Sequence, residues 1–120
     1  MTAKHSKAQL IFYRPFRVSS TGSLAIIGTR KPDQVLVKLK NGHWYKTDYD
    51  HYGQRQFIAG VDTLSDEPLS INIIPGRAYY FKCSIVPQQM LLTAKVEEVE
   101  EIMAQKEIAK LYEQPVIHNS

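Results

Sequence analysis

His43, Asp48, Asp50 and His51 form the one group of side chains in this sequence whose types could hold a metal ion or trade protons. Imidazoles and carboxylates suit zinc or acid–base work only if a regular element turns them toward one point. A strand over residues 43–49 would put His43 on a face with Tyr45, Thr47 and Tyr49 and turn Asp48 to the other. The two histidines, with seven residues between them across a strand and a turn, match no ligand spacing. These four residues therefore read as polar surface and loop, and neither a metal nor a cofactor is expected.

Cys83 is the only cysteine, which excludes an intrachain disulfide and a cysteine-based zinc site. It shares strand parity with Phe81 and Ile85 and reads as a small buried apolar residue, with Lys82 pointing the other way and unable to stabilise a thiolate. No Gly-x-Ser-x-Gly, phosphate-cradling glycine loop or His-Glu-x-x-His occurs. No residue is assigned a catalytic role, and an enzyme would need Arg14, Asp48, His51 or Arg55 to converge in a deep polar pocket.

Aromatic and basic residues interleave more suggestively. Trp44, Tyr45, Tyr49, Tyr52 and Arg55 lie close in sequence, with Lys38, Lys40 and Lys46 nearby. If Trp44 faces inward, Tyr45 and Tyr49 face outward beside the lysines, where they could stack on sugars or bases or grip a protein. The alternative is a sheet covered by tyrosines with an edge blunted by lysines. Arg14 and Arg17, around Phe16, form a second candidate contact in the loop after the first strand. The candidate binding residues are thus Arg14, Arg17, Tyr45, Tyr49, Tyr52 and Arg55.

These side chains need a frame, and 120 residues with 43% apolar and 22% charged content can build one core. Nothing in the sequence approaches the roughly 20 apolar residues of a membrane helix. The net charge of +3 conceals +7 over residues 1–95 and −4 over 96–120: the tail docks on the body, the body meets an anionic partner, or both are solvated surface.

Period-two spacing predicts strands over Ala8–Tyr13, Leu24–Gly28, Gln34–Lys40, His43–Tyr49, Gln54–Ala59, Leu69–Ile74, Arg77 to about Val86, and Met90–Val96. Asn41-Gly42 suits a two-residue hairpin that pairs Leu39 with Trp44 and buries Val35, Val37 and Leu39. Pro75-Gly76 suits a second hairpin, and Pro87 is expected to end its outgoing arm. Glu97–Glu113 is rich in helix formers, with glutamates at its start and lysines toward its end, so a C-terminal helix is expected there. Its two apolar patches, Val99/Ile102/Met103 and Ile108/Leu111/Tyr112, fall on nearly opposite faces, and its end is expected to fray. The fold class read from this pattern is mainly β: an antiparallel β-sandwich of six to eight short strands with one C-terminal helix. Its single domain covers residues 8–113, with residues 1–7 and 114–120 disordered.

Several separated segments together resemble a known family. They are the strand ending in Tyr13-Arg14-Pro15, Leu39–Tyr45 with its Asn-Gly, the turn at Gly53 before Phe57, Gly76-Arg77-Ala78-Tyr79-Tyr80-Phe81-Lys82, and the closing Leu91–Val96 strand with its acidic helix. On these the chain is similar to the bacterial domain of unknown function family 2846, many of whose members are described as lipoproteins. It departs in having Tyr52-Gly53 where Pro-Gly is expected, and no lipid-accepting cysteine precedes Ala8. The resemblance implies an antiparallel β-sandwich with a non-catalytic envelope role and supplies no catalytic residue. The expected function is an envelope interaction module binding protein or glycan, periplasmic or lipid-anchored if a signal segment is removed and cytoplasmic otherwise. The alternative is a small basic cytoplasmic module that binds nucleic acid.

Overall fold

The computed structural model describes residues 7–18, 24–30, 33–61, 68–88 and 91–114. Among the described residues nine strands, against the six to eight expected, and one helix follow in order: β1 (Ala8–Tyr13), β2 (Leu24–Arg30), β3 (Gln34–Lys40), β4 (His43–Tyr49), β5 (Gly53–Gly60), β6 (Leu69–Ile73), β7 (Ala78–Gln88), β8 (Leu91–Val99), α1 (Glu101–Ile108) and β9 (Tyr112–Glu113). They form two sheets, ordered β8-β7-β1-β4-β9 and β3-β2-β5-β6. The first sheet is mixed, because β1 runs parallel to β7 and β4 parallel to β9. This corrects the expectation of purely antiparallel strands. β1 enters between β4 and β7, which arrive from distant parts of the chain, so no short turn dictates its direction on either side.

Both turns predicted from their dipeptides are present, with Gly42 and Gly76 at φ +75° and +81°. Neither closes a hairpin. Residues 34–40 pair with β2 while 43–49 pair with β1; likewise 69–73 pair with β5 and 78–88 with β1 and β8. Each turn carries the chain from one sheet to the other, so its arms meet through side chains. The hydrogen bonds a hairpin would use go elsewhere: Gly42 N–H donates to Arg14 C=O at 3.0 Å, and Gly42 C=O accepts from Tyr112 N–H at 3.1 Å. At the second turn the Tyr79 hydroxyl accepts Ile74 N–H at 2.8 Å and donates to Asn72 C=O at 3.2 Å, tying β6 to β7 across the sheets.

Between the sheets lie Leu10, Phe12, Tyr49, Phe81, Cys83 and Ile85 from one side and Ala25, Ile27, Val37, Leu39, Phe57 and Ile73 from the other. Phe81 stacks on Phe12 and meets Phe57 at a tilt of 39°, each at 5.1 Å between ring centres, and Phe57 meets Tyr49 at 5.8 Å. The two Phe57 contacts join the sheets by burial and by ring geometry. Val35, expected inside, is 49% exposed. The β2–β3 register shifts between Ile27 and Gly28 so that Leu36 is an extra residue, and that bulge moves Val35 to the other face. Gly28 is required there, since a Cβ would lie 2.3 Å from Gln34 C=O.

Pro87 does not end its strand; it pairs with Leu92. Gln9 N–H donates to Arg77 C=O, so odd-numbered residues of β7 turn their amides toward β1 and even-numbered ones serve β8. Pro87 sits at an odd position, where its missing N–H costs the β8 ladder nothing.

The C-terminal region also differs from expectation. Residues 97–99 continue β8, where Glu97 pairs with Lys82, and the helix spans Glu101–Ile108. It lies on the outer face of the mixed sheet: Ala104 is buried, Ile102 and Met103 are exposed, and Tyr13 Oη donates to Glu107 Oε1 at 2.6 Å. Instead of fraying, the chain pairs Tyr112 with His43 and Glu113 with Trp44. Gln114 then binds both sheets at once. Its N–H donates to Trp44 C=O at 2.7 Å, its side-chain oxygen accepts Lys40 N–H and its amide donates to Lys38 C=O, both at 2.8 Å. Of the segments expected to be disordered, 1–7 and 114–120, residues 1–6 and 115–120 lie outside the described residues, while Gln114 is held as above. Among the described residues no helix is long and apolar enough to cross a membrane.

Candidate functional site

The six sequence-derived candidates do not form one site. β1 and β4 pair antiparallel from Ala8↔Tyr49 to Tyr13↔Trp44, so Arg14 and Arg17 leave one end of this ladder and Tyr49, Tyr52 and Arg55 gather at the other, about 17–20 Å away. The expected facing is inverted. Tyr45 pairs with Phe12 and packs against the core, Tyr49 is buried within it, and Trp44 sits beside Tyr13 on the opposite face. The inversion follows from the absent hairpin: β4 takes its register from β1, not from β3, and one step of register exchanges the faces.

At the far end, the Arg55 Nε–H donates to Tyr52 C=O at 3.2 Å, and Tyr49 meets the edge of His51 at 5.3 Å. Burial raises the Tyr49 hydroxyl above its ordinary pKa, partly opposed by Arg55. His51 lies 3.6 Å from Asp50 with both side chains largely in water, a pair worth little. Arg14, on the opposite end, does not meet His51 or Arg55. Among the described residues no three His, Cys, Asp or Glu side chains are placed to share a metal. The lysines near the tyrosines divide between the sheets: Lys38 and Lys40 project outward from the antiparallel sheet and Lys46 from the mixed one.

The Gly42 end is built differently. Arg14 is 1% exposed; its N–H donates to His43 C=O at 2.9 Å and its guanidinium to Leu39 C=O at 2.9 Å. Desolvation lowers its pKa, partly opposed by the nearby Cys83 thiol, while burial raises that thiol well above the ordinary thiol range. Cys83 is thus a fully buried thiol far from the thiolate form nucleophilic chemistry needs. The turn residue Asn41 fixes the next segment at two points, accepting Arg17 N–H at 3.0 Å and donating to Arg17 C=O at 2.7 Å.

That grip orders a cluster from three parts of the chain. Phe16 lies over Gly42 so closely that a Cβ there would meet its ring at 3.3 Å. His43 Nδ1–H donates to Asn41 C=O at 2.9 Å, and the His43 ring meets Tyr112 at 5.9 Å with planes tilted by 43°. Phe16, Val18 and Tyr112 are 60%, 79% and 74% exposed. Beside them, a cleft of about 260 Å³ is lined by Arg14, Pro15, Phe16, Arg17, Lys82, Ser84, Ile85 and Glu97. Large apolar side chains held in water by ordered backbone, with an arginine and a histidine at the margin, have the composition of a protein contact.

Sequence reasoning reached Arg17 and Phe16 but missed Tyr112, which it placed on the helix. A two-residue strand has no periodicity to detect. In comparisons with known proteins, no family model, no curated protein and no solved structure matches this chain.

Proposed function

We propose that this chain is a non-catalytic interaction module that docks a partner protein on the Gly42 end of a β-sandwich-like frame. The observation that carries the reading is the convergence of exposed Phe16 and Tyr112 on the Gly42 turn, with exposed Val18 following two residues after Phe16. Backbone and side-chain hydrogen bonds order each of these segments, so little conformational entropy is lost on docking. A protein is favoured over a glycan because the rings of Tyr112 and His43 are tilted and offer no flat stacking platform. The bacterial envelope setting, with a lipid anchor supplied from outside residues 8–113, rests on the family resemblance alone.

A photoreactive amino acid placed at position 112, and separately at the distant exposed position Gln54, tests this in the native cell. Position 112 is expected to cross-link to one discrete protein and position 54 is not. Equal yields at both positions, or none at 112, would overturn the reading.

A further inference from the structure

The outer face of the mixed sheet carries two clefts of opposite charge joined at a shared pair. The first, of about 260 Å³, reaches down to buried Arg14 and Ile85 and sets the accessible cations Arg17 and Lys82 against the single carboxylate of Glu97. The second, of about 470 Å³, holds Glu97, Glu98, Glu100 and Glu107 against Lys82 alone. Lys82 and Glu97, cross-strand partners on β7 and β8, line both and mark the boundary. An exposed apolar side chain lines each cleft, Phe16 the basic one and Met103 the acidic one.

A surface that is positive at one end and negative at the other, with an exposed apolar residue in each, is complementary to itself after a half-turn. A two-fold axis through the Lys82–Glu97 boundary lays each basic cleft on the partner copy's acidic cleft and brings Phe16 toward Met103, a contact sulfur and aromatic rings favour. We infer that the occupant of this face is a second copy of the chain, forming an isologous dimer through β7, β8, α1 and the Arg14–Val18 segment. Tyr112 and His43, at the Gly42 turn, lie outside this contact. Phe16 and Val18 belong to both surfaces, so the dimer would cover part of the proposed docking surface; the inference goes beyond that function, and position 112 tells the two apart.

Charge reversal tests it. Arg17 is suited to change because Asn41 grips its backbone and not its side chain; Glu100 is suited because its side chain makes no cap hydrogen bond at the helix start. In sedimentation velocity at low ionic strength the wild-type chain is expected to dimerise, weakening as salt rises. Arg17→Glu alone and Glu100→Arg alone are each expected to weaken dimerisation at least about tenfold, since each places like charges together twice. An equimolar mixture of the two variants, and the double variant by itself, are expected to recover the dimer, which a folding defect could not do. A monomeric wild type at about 0.1 mM, or a mixture no better than the single variants, would overturn the inference. Undiminished cross-linking from position 112 in Glu100→Arg would separate this outcome from the fate of the docking function.

Discussion

Tyr13 and Glu107 are joined by a 2.6 Å hydrogen bond across 94 residues of sequence, between the end of β1 and the last turn of α1. Lys82 donates to the other oxygen of the same carboxylate at 3.1 Å. One glutamate thus ties the helix to two adjacent inner strands of the mixed sheet, β1 and β7. The hydroxyl and the ammonium both favour its charged form, holding the Glu107 carboxyl below the ordinary glutamate value of 4.5. Burial first, and then the hydrogen bond, push the Tyr13 hydroxyl up from 10.0.

These two shifts predict a stability plateau lost on both sides. A carboxyl whose folded pKa is lowered contributes stability above its unfolded value and loses it as pH falls through the folded one; a phenol whose folded pKa is raised contributes below its unfolded value and loses it as pH climbs beyond it toward the folded one. Tyr13→Phe is expected to cost about 1–2 kcal/mol near neutrality, since Glu107 retains some contact with water. Urea denaturation from acid to about pH 11 is the check: the wild-type and Tyr13→Phe curves converge at both extremes and separate most between them.

Gln114 makes a second testable tie. Its amide reproduces one rung of a strand ladder against Lys38 and Lys40 while its backbone continues the β4 pairing. Gln114→Ala is expected to destabilise by about 1–3 kcal/mol through the partners left behind. Gln114→Glu keeps the acceptor for Lys40 N–H but sets a carboxylate oxygen against Lys38 C=O, so it is not a rescue. Amide exchange at Lys40 reports the loss directly: it accelerates in Gln114→Ala and stays slow in wild type.

Three glycines separate two physical causes. Gly53 has φ +87° and nothing within 4 Å of a Cβ; Gly42 has φ +75° and Phe16 at 3.3 Å; Gly28 would place a Cβ 2.3 Å from a backbone carbonyl. Alanine at Gly53 is expected to cost about 1 kcal/mol from the backbone alone. At Gly42 the cost rises to about 1–3 kcal/mol and Phe16 moves. At Gly28 backbone must shift against backbone, giving the largest loss of the three. Denaturation midpoints in that order are the expected result.

The thiol of Cys83 offers a probe that needs no substitution. It is fully buried, with its pKa raised by that burial. A thiol-specific chromogenic reagent is expected to label it only after unfolding, at a rate that rises with denaturant as the open population does. Rapid labelling of the native chain would contradict the position of the Cys83 side chain between the sheets.

Local signals in the sequence were legible and partner choices were not. Ala8–Tyr13 is a strand as its alternation predicts, and Gly42 and Gly76 occupy the left-handed conformations that Asn-Gly and Pro-Gly favour. Those dipeptides specify the dihedrals of two residues and say nothing about whether the arms leave in one sheet or in two. The arms of each turn bury apolar residues better across the core, and the distant β1 takes the place of the hairpin partner beside β4. Once that substitution is made, the facing of Trp44, Tyr45 and Tyr49 reverses, and the aromatic–basic surface expected around them dissolves. The cluster at Phe16, Gly42 and Tyr112 depends on the same long-range pairing, which no spacing within one segment encodes.

The docking surface is the centre of this account, and its most direct test is quantitative retention of the protein cross-linked from position 112. Immobilised wild-type chain is compared with the Phe16→Ala/Tyr112→Ala double variant at matched denaturation midpoints. The account predicts at least about a tenfold loss of retention, the scale on which central aromatic contacts act. Retention equal to wild type, with both proteins folded, would contradict it.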